Sequence, residues 1–203
     1  MIGIIDYGMG NLMSVQKAFE KLGFKAKLLK NLQDLKDINA MVLPGVGAFE
    51  DAIDSLKSLG WIEVINDVVK SGMPFLGICL GMQLLFEESF EGGHHEGLGL
   101  IKGSVRRFEP KQKNLKVPHM GWNSVKKTGD SRLLANIPDN TDFYFVHSYY
   151  CDPKEDATIG TTDYDNVFTS CVEKDNVFGV QFHPEKSSRF GLEILKNFGE
   201  MAG

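Results

Sequence analysis

Apolar positions follow two rhythms along this chain, and the change between them falls near its middle. In the first half, short apolar runs alternate with stretches of helical period. Ile2–Ile5 reads as a strand ending at Asp6. Leu12, Val15, Phe19 and Leu22 recur at helical spacing, and Gly23 follows as a C-terminal cap. Lys25–Leu29 and Ala40–Leu43 read as further strands, the second cut by Pro44. Helical stretches near Ala48–Leu59 and Ile62–Lys70 lead to a strand over Pro74–Ile78 and a helix over Leu80–Glu88. This βαβα order predicts a parallel sheet covered on both faces. In the second half, Ser104–Phe108, Trp122–Val125, Asp142–Val146, Thr158–Thr162, Val167–Val172 and Val177–Phe182 are strand-like and separated by turn residues. A final helix over about Ser188–Met201 puts Phe190, Ile194, Leu195 and Phe198 on one face. No repeat, low-complexity segment or linker interrupts the pattern. The expectation is one α/β domain over residues 1–203, with three layers, a mainly parallel central sheet flanked by helices, and an antiparallel extension in the second half.

Composition narrows the function classes. The length, 203 residues, suits one domain with a sizeable core, and 42% hydrophobic with 24% charged residues is the balance of a soluble globular protein. A net charge of −5 and the lack of a basic run argue against nucleic acid or anionic lipid as the main partner. The longest apolar stretch, Met73–Phe86, is too short for a membrane span and contains Gly, Pro and Gln. The N-terminus MIGIIDYGMGN lacks the charged region and long apolar run of a signal peptide, so a cytoplasmic protein is expected. Cys79, Cys151 and Cys171 lie far apart, without the spacing of a disulfide framework or a zinc site.

The sharpest chemical signal is Gly77-Ile78-Cys79-Leu80-Gly81, between an apolar strand and a helix start. Here a Gly-x-nucleophile-x-Gly elbow carries Cys in place of Ser. The glycines leave room for a tight turn that lifts the side chain above the sheet. The helix start favours thiolate over thiol and offers free N–H groups to an oxyanion. The bland alternative is a small apolar residue between two packing glycines. A cysteine nucleophile also needs a base. His94 and His95 sit in the Gly-rich stretch Gly92–Gly97, which reads as a solvated loop, with a metal site there conceivable but disfavoured because adjacent side chains diverge. His119, His147 and His183 each adjoin a strand-like run. His183 stands out through Phe182-His183-Pro184-Glu185: on an extended backbone His183 and Glu185 point the same way, and a carboxylate beside an imidazole fixes its tautomer. A strand end with a solvated Glu fits this spacing equally well. Pro44-Gly45-Val46-Gly47 could present an N–H to an oxyanion or be an ordinary βα turn. Gly8-Met9-Gly10 fails the dinucleotide pattern because position 13 is Met.

These stretches together have a family likeness. With IDYGMGN (5–11), PGVGAF (44–49), GICLGMQLLFE (77–87), PHMGWN (118–123), YFVHSYY (144–150) and GVQFHPEKS (179–187), the chain resembles the class I glutamine amidotransferases, flavodoxin-like in fold. Within them it resembles the family of glutaminase subunits of imidazole glycerol phosphate synthases. The resemblance runs along essentially the whole chain. The elbow and the HPE signature are common to all class I members, whereas IDYGMGN, PGVGAF and PHMGWN are particular to the subunit family.

The resemblance implies that Cys79 attacks the side-chain amide of glutamine, that His183 handles the proton, and that Glu185 orients His183. It implies an oxyanion hole from the N–H groups of Leu80 and, after a peptide rearrangement, Val46. Gly47, Gln83, Glu91 and the backbone of Ser148 and Tyr149 would line the substrate pocket, Glu91 having the bland alternative of a helix-end charge. Ammonia would pass to a (β/α)8-barrel cyclase subunit in a heterodimer, forming imidazole glycerol phosphate and an aminoimidazole carboxamide ribotide in histidine biosynthesis. Asn11 and Trp122 would face that partner, and the isolated subunit would be nearly inactive. No cofactor or metal is implied. Other readings are ammonia supply for amidating a surface sugar, a silent regulatory subunit, and a stand-alone peptidase.

Overall fold

The computed structural model describes residues 1–112 and 115–203. In chain order the first half gives β1 (Ile2–Ile5), α1 (Leu12–Lys21), β2 (Ala26–Leu29), β3 (Ala40–Gly45), α2 (Phe49–Ser58), α3 (Trp61–Lys70), β4 (Phe75–Cys79) and α4 (Leu80–Leu84). There follow β5 (Phe86–Ser89), β6 (His95–Glu96), β7 (Ile101–Arg107), β8 (His119–Lys127), β9 (Thr141–His147), β10 (Tyr149–Pro153), β11 (Thr158–Tyr164), β12 (Asn166–Lys174), β13 (Val177–Val180) and α5 (Ser188–Glu200).

Five parallel strands, in the order β2-β1-β3-β4-β13, form the spine. Their residues alternate between two cores, as a pleated strand buried on both faces must. Ile2, Ile4, Ala40, Val42, Leu76 and Ile78 pack with α1 and α5 through Val15, Phe19, Ile194, Leu195 and Phe198. Ile5, Met41, Leu43 and Phe75 pack on the other face with α2 and α3 through Phe49, Leu56, Trp61 and Ile65. Beyond β13 the sheet turns antiparallel through β12, β10 and β7, and β11, β8 and β9 form a wing off β12. The architecture is the expected three-layer α/β domain with an antiparallel extension. No helix among the described residues is long and apolar enough to cross a membrane.

Three local expectations are corrected. The helix predicted over Leu80–Glu88 stops at Leu84, and Phe86–Ser89 is instead a strand. Its next turn would need the carbonyls of Leu84 and Leu85, but Leu98 donates to the first and Leu100 and Ile101 to the second. Pro44 does not cut β3: pairing with β1 ends at Val42, while pairing with β4 runs on through Pro44 and Gly45. The backbone after His183 is not extended. Pro184–Lys186 is a turn of 3-10 helix, closed by Lys186 N–H to the His183 carbonyl at 3.1 Å.

Candidate active site

Cys79 ends β4 with φ 55° and ψ −110°, a backbone conformation that costs a non-glycine residue about 1–3 kcal/mol. The surrounding glycines make the turn possible by letting backbones approach. A Cβ on Gly77 would stand 2.5 Å from the Gly81 carbonyl oxygen, and a Cβ on Gly81 would stand 1.7 Å from the Leu43 carbonyl oxygen. α4 is therefore clamped against β3 and β4. With only five residues, α4 contributes less dipole than the longer predicted helix, but its first N–H groups, Leu80 among them, still lack intrahelical acceptors.

β13 runs beside β4 and carries His183 to the cysteine. The ring is 3% exposed, and its Nδ1 lies 2.9 Å from Glu185 Oε1, whose side chain is 1% exposed. The 3-10 turn, rather than strand alternation, folds the carboxylate back onto the ring; Ser187 Oγ donates to the His183 carbonyl at 2.6 Å and braces it. A carboxylate at Nδ1 leaves Nε2 to exchange a proton with sulfur. Nε2 is buried and closes no hydrogen bond in this geometry. Burial alone pulls the imidazolium down, but neighbouring Cys79 and Glu185 outweigh it and hold the ring up at about 10. A sulfur nucleophile, an imidazole and a buried carboxylate in this order can carry out acyl transfer.

Beside Cys79 lies a cleft of about 400 Å³, within the range of small-molecule sites. Val46, Gly47, Leu80, Gln83, Glu91, Ser148 and Tyr149 all line it. Gly47 has φ +106°, so the loop bearing Val46 uses a conformation that other residues avoid. Glu91 lies in the loop after β5, not at a helix end, and accepts the Phe49 N–H at the start of α2 at 3.0 Å. Burial raises its pKa, against the lowering influence of that N–H and of His95. The Tyr149 carbonyl accepts from Gln83 Nε2 at 3.1 Å and from His147 Nδ1 at 2.7 Å. Asn11 and Trp122 line no part of the cleft. Asn11 precedes α1 without a side-chain capping bond, and Trp122 is 53% exposed on β8, near the exposed Met120.

Sequence reasoning passed over a buried polar chain behind the cleft. His119 Nδ1 lies 2.9 Å from His147 Nε2, and Asn123 Nδ2 lies 3.2 Å from His119 Nε2. Because the Tyr149 carbonyl must accept from His147, each ring in turn donates through Nδ1 and accepts at Nε2. Burial holds both rings neutral, with pKa values down to about 3 for His147 and about 4 for His119. Gln181 was missed too: it is fully buried, 3.7 Å through Nε2 from Cys79 Sγ. Its signal was an amide in an otherwise apolar run, two residues before His183 and just past the end of β13. His94 pairs with Glu88 at 2.7 Å and His95 opens β6. Among the described residues no three His, Cys, Asp or Glu side chains cluster as metal ligands.

The sequence model of the family "Glutamine amidotransferase class-I" matches residues 3–201. The chain is 53% identical over 201 residues to the imidazole glycerol phosphate synthase subunit HisH of Desulfitobacterium hafniense strain Y51, covering 98% of this chain and 94% of that one. It is 51% identical over 201 residues to the subunit of the same name from Methanocaldococcus jannaschii, covering 99% and 100%. In structure it is similar to a crystal structure of a glutamine amidotransferase, with TM-score 0.77 and 18% identity over 100% of this chain and 98% of that one. It is also similar to the PurLQS structure from Thermotoga maritima, with TM-score 0.73 and 19% identity over 99% and 96%. A match of this extent, over a chain that turns its cysteine out on a strand–helix elbow, means that the protein belongs to the class I glutamine amidotransferase family.

Proposed function

We propose that this chain is the glutaminase subunit of an imidazole glycerol phosphate synthase, and that Cys79, His183 and Glu185 are its catalytic residues. The carrying observation is the convergence of Cys79 with a His183 bonded to Glu185, beside a cleft lined by Gln83 and Glu91. Cys79 sulfur attacks the side-chain amide carbon of glutamine. His183 takes the thiol proton on Nε2 and delivers it to the departing ammonia, leaving a glutamyl thioester on Cys79. His183 then takes a proton from water as the water oxygen attacks the thioester carbon; glutamate leaves and the sulfur is freed. Glu185 holds the ring in the tautomer that both steps need. The N–H groups of Leu80 and, once its peptide has turned, Val46 stabilise the oxyanion, each worth about 10²–10³ in kcat. Glu91, Gly47, Gln83 and the backbone at Ser148 and Tyr149 hold the substrate. In the cytoplasm the subunit pairs with a (β/α)8-barrel cyclase, with Asn11 and Trp122 facing that partner, and the ammonia passes across that interface.

The test is glutamate release by wild type and Cys79→Ala, each alone and with the barrel cyclase and its ribotide substrate. The expected result is a near-silent subunit, activation by orders of magnitude in the complex, and loss of about 10⁴-fold or more in Cys79→Ala. Cys79-dependent hydrolysis that ignores the cyclase would overturn the partner. No hydrolysis under any condition would overturn the chemistry.

A further inference from the structure

Gln181 is a fully buried amide just past the end of β13, between Val180 and Phe182, and an amide in that position is costly unless its groups are bonded. Its Oε1 accepts from Gln83 Nε2 at 3.1 Å, and its Nε2 lies 3.7 Å from Cys79 Sγ. The orientation of both amides follows from one backbone group. The Tyr149 carbonyl can only accept, so the Gln83 atom facing it at 3.1 Å is the NH2 nitrogen. The second N–H of that nitrogen points to Gln181, which must therefore present Oε1. The Gln181 NH2 is left on the side of the sulfur. Gln83 Oε1 is correspondingly left as an acceptor beside the cleft that Gln83 lines.

We infer that Gln181 is a positioning residue with two effects: it locks Gln83 with an acceptor toward the substrate, and it sets an N–H against the Cys79 sulfur. The first effect suits a substrate carrying N–H groups, and that half rests on the glutaminase reading. The second concerns only the chain itself. A buried N–H beside the sulfur holds the nucleophile in place and steadies charge on it during attack, since hydrogen bonds to charged groups are the stronger ones.

Two near-isosteric variants separate the effects. Gln181→Met removes both the acceptor for Gln83 and the N–H at sulfur. Gln181→Glu keeps an acceptor for Gln83 and removes the N–H. The readouts are the rate of Cys79 alkylation by iodoacetamide at neutral pH, and kcat and KM for glutamine in the complex with the barrel cyclase. Both variants are expected to slow alkylation and kcat by about tenfold or more, the scale of one hydrogen bond to a charged group. Only Gln181→Met is expected to raise KM as well. Circular dichroism and a thermal melt confirm folding. The wild-type chain supplies a check without substitution: the side-chain amide proton signal of Gln181 is expected to move when Cys79 is alkylated. Alkylation and kcat within twofold of wild type in a folded variant, or an unmoved amide signal, would overturn the inference. If wild type hydrolyses no glutamine, the glutaminase reading fails, while the alkylation rates still decide what Gln181 does to the sulfur.

Discussion

At the scale of single residues, the acid–base character of His183 is set by its neighbours. Burial would leave the ring neutral, whereas Glu185 on one side and Cys79 on the other keep the proton on it. Glu185→Gln preserves the shape but can present an N–H to Nδ1, which favours the tautomer with its proton on the wrong nitrogen. A loss of about 10⁴ in kcat is expected, with KM little changed, as follows when a triad carboxylate becomes an amide. Initial rates at saturating glutamine in the complex check this. The elbow at Cys79 was legible because it is a local pattern, and Glu185 was expected beside His183, although from strand alternation and not from the 3-10 turn that brings it there. Gln181 was not, because its partners Gln83 and Cys79 are 98 and 102 residues away. Likewise the bond from Phe49 to Glu91 spans 42 residues, and no local pattern records it.

At the scale of elements, the site depends on how closely α4 lies against β3. Gly81→Ala would drive a methyl group into the Leu43 carbonyl, where the obstacle is backbone and cannot swing aside. A loss of more than about 4 kcal/mol in unfolding free energy is expected, the size reserved for strain or overpacking at a site that cannot relax. Urea unfolding of the chain measures it. The strands of the parallel half and the long helices were readable because each buries its faces at its own period. β5 was not: the apolar run from Leu80 into Phe86 keeps helical character, and only capture of the Leu84 and Leu85 carbonyls by residues 98–101 ends the helix. β10 was hidden for a different reason. The strand expected over Asp142–Val146 covers only β9; β10 follows after Ser148 alone, with no turn residues to announce a second strand, and pairs with different neighbours.

At the scale of the whole molecule, the histidines make stability depend on pH from both sides. His147 and His119 have folded-state values near 3 and 4, below the usual 6.5. The unfolded chain therefore binds more protons, and their contribution, complete above about pH 6.5, is lost as pH falls toward 4. His183 has the opposite sign: raised to about 10, its contribution is complete below about pH 6.5 and fades as pH rises toward 10. Urea unfolding between pH 5 and 9 is expected to show greatest stability near pH 6.5, with each ring contributing a slope of up to about 1.4 kcal/mol per pH unit on its own side. In His147→Gln the acid limb is expected to flatten and the alkaline limb to remain. The cores on the two faces of the sheet were foreseeable from alternation in the first half of the chain. The polar chain from Asn123 through His119 and His147 was not, since it exists only where β8 and β9 pair.

The left-handed backbone at Cys79 bears on how this protein can change over evolutionary time. The strain there is permanent, present in every folded copy whether or not it turns over, and only glycine would fully relieve it. Selection for stability and selection for chemistry therefore oppose each other at this codon. In a duplicate freed from hydrolysis, replacement of this cysteine by glycine would relieve the turn. An intact cysteine at such a turn is thus a record of continuing use.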